Sequence, residues 1–98
     1  MTHEVDFGPL VKFDLAEAHD WYEEREPGLG EGFLEAFDAC LNVICDNPRS
    51  FPVSHGDVRR AFLRRFPYMV LYRVESGKVT VIGCFHGGRD PRSWRARQ

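Results

Sequence analysis

The spacing of apolar residues changes once along this chain, and that change limits its folds more than any other feature. Up to residue 46 the apolar positions recur at steps of three and four, and from residue 58 they alternate at steps of two. The clearest helical stretch has Phe33, Phe37, Cys40, Leu41 and Ile44 on one side and Glu31, Glu35, Asp38 and Asn42 on the other. Before it, Val11, Leu15, Ala18 and Tyr22 follow at four, three and four, with Pro9 suited to a first helical turn. "PGLG" (27–30) interrupts the pattern and Asn47-Pro48 ends it, because the residue before a proline is pushed out of the helical region. Two antiparallel helices joined by a glycine turn are expected.

Three runs carry the period of two: "VRRAFLRR" (58–65), "YMVLYRVE" (68–75) and "KVTVIGCFH" (78–86), all rich in β-branched and aromatic residues. Ser76-Gly77 is a tight hairpin signal, and Phe66-Pro67 breaks the first run from the second. The middle run is apolar on both faces at its start, which suits a central strand. "HEVDF" (3–7) alternates weakly and is read as a short first strand. The expected fold is α+β, of order β-α-α-β-β-β: an antiparallel sheet with the N-terminal helical hairpin packed on one face. At 98 residues the chain is one domain spanning 1–98, with a single modest core.

No apolar run approaches a membrane span, and "MTHEVDFGPL" lacks the regions of a signal peptide, so a cytoplasmic protein is expected. Cys40, Cys45 and Cys84 have no metal-ligand spacing and read as buried thiols, in keeping with a reducing compartment. His3, His19, His55 and His86 fall at no ligand spacing either, and "GLGEG" (28–32) joins two helices instead of following a strand. Neither metal nor cofactor is expected.

A formal net charge of −2 conceals a division. Residues 1–48 set twelve acids against Lys12 and Arg25, a balance of −10, and residues 49–98 set eleven bases against three acids, a balance of +8. Acids fall on the outer helix faces, whereas Arg59, Arg60, Arg64, Arg65, Arg73, Arg89, Arg92, Arg95 and Arg97 fall on the sheet or its C-terminal extension. Such asymmetry points to an anionic partner for the basic half. The extension "HGGRDPRSWRARQ" (86–98) leaves the sheet through Gly87-Gly88 and combines charge with one aromatic anchor.

Element order and three motifs, "DWYEEREPGLGEGF" (20–33), "RRFPYMVLYRVE" (64–75) and "HGGRDPRSW" (86–94), resemble the RelE/ParE toxins of bacterial type II toxin–antitoxin modules, the plasmid stabilisation proteins. The resemblance implies a growth-inhibiting toxin with a cognate antitoxin that wraps it, in a heterotetramer or larger assembly. It also implies one of two activities on the same fold. ParE-like members poison DNA gyrase by binding it; RelE-like members cleave messenger RNA on the ribosome without metal.

Metal-free cleavage needs a proton acceptor, cationic donors around the phosphorane and an acid for the leaving oxygen. His86 is the candidate acid or base, with Arg65 and Arg64 as phosphate clamps. The rest of that constellation is missing: no lysine cluster lies in 49–57, the last strand carries only Lys78, and no tyrosine follows Arg73. The favoured reading is therefore a binder of gyrase and not an enzyme, with Arg89, Arg92 and Trp94 as target contacts. A ribosome-dependent endoribonuclease and an inactive partner-binding module are the alternatives. An antitoxin segment covering the basic sheet is expected to bring apolar anchors and acids.

Overall fold

The computed structural model describes residues 4–97. In chain order the elements are β1 (Glu4–Phe7), α1 (Val11–Arg25), α2 (Leu29–Asp46), β2 (Val53–His55), β3 (Val58–Phe62), β4 (Tyr68–Glu75), β5 (Lys78–His86) and α3 (Arg92–Arg95). The strands form one sheet in the order β1-β5-β4-β3-β2. β2 to β5 pair antiparallel, whereas β1 lies parallel to β5, with Glu4 opposite Lys78 and Phe7 opposite Val81. The α+β architecture with a helical hairpin on one face is as the periodicity predicts, and β4 is the central strand.

The differences from expectation have local causes. β2 adds a short edge strand after α2, joined to β3 through a bulge. α3 adds a last helical turn. Pro9 lies just ahead of α1, because the Gly8 N–H extends the β1 ladder to the Val81 carbonyl (2.8 Å) and the first helical bond runs from Asp14 N–H to Leu10 O. His3 falls outside the described residues. β3 stops at Phe62, short of the expected 65, since Arg65 takes a left-handed backbone (φ 69°). That conformation costs a non-glycine residue on the order of 1 kcal/mol and cannot continue a strand. Ser76 and Gly77 both have positive φ, as a two-residue hairpin turn demands.

The main core lies between helices and sheet: Val11, Ala18, Phe33, Phe37, Cys40 and Ile44 meet Ala61, Val70, Tyr72, Val79, Val81 and Cys84. Phe33 is fully buried, which stabilises the fold by roughly 1.5–3 kcal/mol for such a side chain. The Tyr72 hydroxyl donates to the Pro48 carbonyl (2.6 Å), tying the chain after α2 to the central strand. Burial pushes that phenol up to about 12.

The helical turn explains its own sequence. The Glu23 carboxylate accepts the N–H groups of Gly28 (3.0 and 3.1 Å) and Gly30 (3.0 Å), so a side chain of α1 caps α2. Those bonds hold Glu23 below the ordinary carboxylate range. Gly28 has φ 90°, and a Cβ on Gly30 would stand 2.6 Å from the His19 ring and 2.7 Å from its carbonyl.

The opposite face of the sheet carries a smaller core of Val58, Met69, Leu71, Ile82 and Phe85, closed by Trp94. The C-terminal segment thus blankets the face that the helices leave open.

Candidate functional site

Register brings His86, Arg64, Arg65 and Arg89 to one end of the sheet. Tyr68 opens β4 opposite His86, which closes β5. The turn holding Arg64 and Arg65 and the loop holding Arg89 are stitched together there by Gly87 N–H to Pro67 O (2.8 Å). Gly87 packs so tightly that a Cβ would lie 3.1 Å from the Phe62 ring.

The His86 Nδ1 accepts the Gly88 N–H at 3.0 Å, which assigns the proton of the neutral ring to Nε2. Its ring meets Tyr68 edge-on at 5.5 Å. Tyr68 belongs in turn to an aromatic group with Tyr22, Phe33 and Phe66, at centroid distances of 4.9–6.0 Å. Desolvation raises the Tyr68 phenol, helped by Tyr22 and opposed by Arg89.

Arg64 and Arg65 lie in the turn after β3 and not within a strand running to 65, because β3 ends at Phe62. Arg64 borders an apolar hollow of about 350 Å³ with Ala36, Cys40, Val43, Phe51 and Phe62. Arg65 lies 5.4 Å over the Phe66 ring, its guanidinium close to Gly32 in α2. Among the described residues neither arginine bonds to His86. The three candidates for cleavage share one end of the sheet without forming a joined constellation.

The C-terminal residues divide by role. Arg89 is exposed, its guanidinium 4.9 Å over the Phe85 ring and its N–H bonded to the His86 carbonyl. Arg92 is also exposed, but Asp90 accepts from its Nε (3.1 Å), its Nη2 (2.8 Å) and its backbone N–H (2.9 Å). These bonds hold Asp90 below its ordinary range and offset much of the Arg92 charge. Trp94 needs correction as a contact residue: at 1 % exposure its indole offers no face to a partner and instead anchors the segment.

Arg97 has the most buried partner. Its Nη1 and Nη2 donate to the Asp14 Oδ2 and Oδ1 at 2.7 and 3.0 Å, with side-chain exposures of 19 % and 9 %. Other arginines are likewise occupied: Arg59 donates to the carbonyls of Arg49 and Phe51, and Arg73 stands between Asp57 and Glu75. Much of the basic half therefore serves the fold.

Sequence reasoning passed over Asp14 and Tyr68 and counted Arg97 only among the basic residues of the C-terminal extension. A signal existed for Asp14, which lies three residues after Val11 and four before Ala18, within the buried stripe of α1. No group of three or more His, Cys, Asp or Glu side chains is placed to hold a metal among the described residues. No helix among them is long and apolar enough to cross a membrane.

The same arrangement recurs in solved structures. A chain of the chromosomal ParDE toxin–antitoxin system from P. aeruginosa superposes with a TM-score of 0.76 at 15 % identity, covering 87 % of this chain and 96 % of that one. A chain of the RelBE2 toxin–antitoxin complex from Mycobacterium tuberculosis gives 0.58 at 17 %, covering 88 % and 99 %. A mutant of the E. coli toxin RelE in the free state gives 0.50 at 18 %, covering 90 % and 86 %. These likenesses speak for the fold; no curated protein matches the sequence significantly. The family model for the ParE toxin of the type II toxin–antitoxin system parDE matches residues 5–91. On that match, which takes in α1, α2, the sheet from Val5 onward and the loop that follows it, the chain belongs to the ParE toxin family of type II toxin–antitoxin systems.

Proposed function

We propose that this toxin arrests growth by binding DNA gyrase in the cytoplasm, without bond-breaking chemistry of its own, and that a cognate antitoxin neutralises it. The observation that carries this reading is the arrangement after β5. Arg89 and Arg92 stand exposed on a loop whose far end is anchored by Trp94, while His86 has one nitrogen engaged by its own loop and no bond to Arg64 or Arg65. An anchored loop presenting charge suits recognition, because less freedom is lost on binding. Cleavage would need base and phosphate clamps around one reacting site. Arg89 and Arg92 are the proposed contacts, with Trp94 holding them in place.

The antitoxin is proposed on family membership, and the P. aeruginosa and M. tuberculosis relatives come from toxin–antitoxin systems. The toxin is to be induced without antitoxin in a bacterial host while labelled thymidine and methionine incorporation are followed through the first minutes. DNA synthesis falling first supports the gyrase reading. Translation stopping first refutes it and returns His86, Arg64 and Arg65 to a ribonuclease site. Unchanged growth marks a partner-binding module without activity.

A further inference from the structure

We propose that Asp14, on the first helix, is a positioning residue for the target-contact loop: through Arg97 and Phe85 it fixes where Arg89 stands. The inference rests on the reading above, that the loop after β5 touches the target.

Asp14 differs from most other acids of its helix. Its carboxylate is 9 % exposed, whereas Glu17, Asp20 and Glu24 lie on the surface. A fork-to-fork ion pair removed from water in this way gives little net stability, since desolvation offsets most of the attraction. What it supplies is direction, because two parallel N–H···O bonds allow one orientation of the guanidinium.

The place where this pair sits gives that direction a use. β1 ends at Phe7, so beyond Val81 the outer edge of β5 has no neighbouring strand. One extra residue, Ile82, bulges there between the pairs Tyr72–Val81 and Leu71–Gly83. Asp14 and Arg97 take over the missing strand's work: Asp14 Oδ2 accepts the Cys84 N–H (3.2 Å), and Arg97 Nη1 donates to the Ile82 carbonyl (3.3 Å). Gly83 leaves room for this and nothing more. A Cβ there would lie 2.6 Å from the Phe85 ring, 2.9 Å from Arg97 and 3.1 Å from Asp14.

Phe85 completes the link. Its ring, 1 % exposed, receives the Arg97 guanidinium at 4.5 Å and the Arg89 guanidinium at 4.9 Å. Two cations on one ring attract it and not each other. Their spacing holds because Arg97 is neutralised by Asp14, which leaves the ring free to support the second, exposed cation. Without the carboxylate, Arg97 carries an unpaired charge on the ring it shares with Arg89 and loses its orientation. Arg89 then loses its platform.

The test uses the full-length toxin, induced without antitoxin, with the toxin level needed to halve colony formation as readout. Four chains are compared: wild type, Asp14→Asn, Arg89→Ala and the double variant. Asp14→Asn is expected to weaken arrest by about 3- to 30-fold, the range of a cation–π contact. Arg89→Ala should do at least as much, and the double variant no more than Arg89→Ala alone. Hydrogen exchange of the Arg89 amide should quicken in Asp14→Asn while the amides of β4 keep their protection. If Asp14→Asn does not melt cooperatively, Phe85→Leu takes its place, since it keeps the apolar volume and removes the ring. Full potency in Asp14→Asn beside a weakened Arg89→Ala overturns the positioning role, and so do losses that multiply in the double variant. A harmless Arg89→Ala overturns the contact reading and this inference together, which separates that failure from the first.

Discussion

Cutting Trp94 back to alanine is expected to release the C-terminal segment while helices and sheet stay folded. Removing a buried tryptophan costs about 3–5 kcal/mol in transfer and cavity terms. Here the loss is smaller, because the indole N–H is buried without an acceptor among the described residues, a standing penalty of about 1–3 kcal/mol that disappears with the ring. The net is about 2 kcal/mol, or roughly 30-fold in the ratio of docked to free segment at 1.4 kcal/mol per decade. A terminal segment can leave without unfolding the rest, so the change stays local. Native-state hydrogen exchange reads it directly. The amides of Ser93, Arg95 and Arg97, bonded to the carbonyls of Asp90, Pro91 and Trp94, should exchange faster by about that factor. Those of Val70, Tyr72 and Val79 should not change. Trp94→Phe keeps the aromatic body without the unpaired donor and should stay within about 1 kcal/mol of wild type. Equal acceleration along the whole chain would refute the reasoning, because the second core would then melt with the first.

Three further outcomes follow from the same geometry. Tyr72→Phe leaves the Pro48 carbonyl without its donor and should cost about 1–2 kcal/mol in urea unfolding. In the wild type the Tyr72 contribution is full below pH 10 and is lost as pH rises through its folded value of about 12, which absorbance titration of the phenol would follow. Gly30→Ala gains helix propensity yet drives a methyl into His19, so a net loss of about 1–3 kcal/mol is expected from thermal melts. Glu23→Gln removes the charged cap of α2. Because the folded carboxyl is held low, its contribution is present above the ordinary carboxylate value and lost as pH falls through the folded one. The thermal midpoints of wild type and Glu23→Gln should therefore converge in acid.

The sequence made the helices, the three long strands and their hairpin legible, because each depends on neighbours within a few residues. The parallel seat of β1 was not legible: four weakly alternating residues say nothing about a partner near the other end of the chain. β2 was missed since three residues beside a bulge carry no period. At the candidate site, residue types pointed to His86, Arg64, Arg65, Arg89 and Arg92, and the first four reach one end of the sheet. Their roles depended on contacts that spacing does not encode. A backbone bond engages His86, Asp90 offsets Arg92, and a helix acid fixes Arg97. The charge division was read as a surface for partners, yet Arg59, Arg73 and Arg97 are engaged within the fold.

Pairing Glu4 with Lys78 across a parallel ladder sets an order of events at the ribosome. The residues of β1 emerge first and α1 and α2 follow, and the apolar faces of these helices wait for strands synthesised later. The first strand cannot settle until residues 78–81 have left the exit tunnel, and the Asp14 latch waits longer still, for Arg97. β1 and Asp14 are therefore made early and seated late, and two of the seams that close this fold join segments far apart in the sequence.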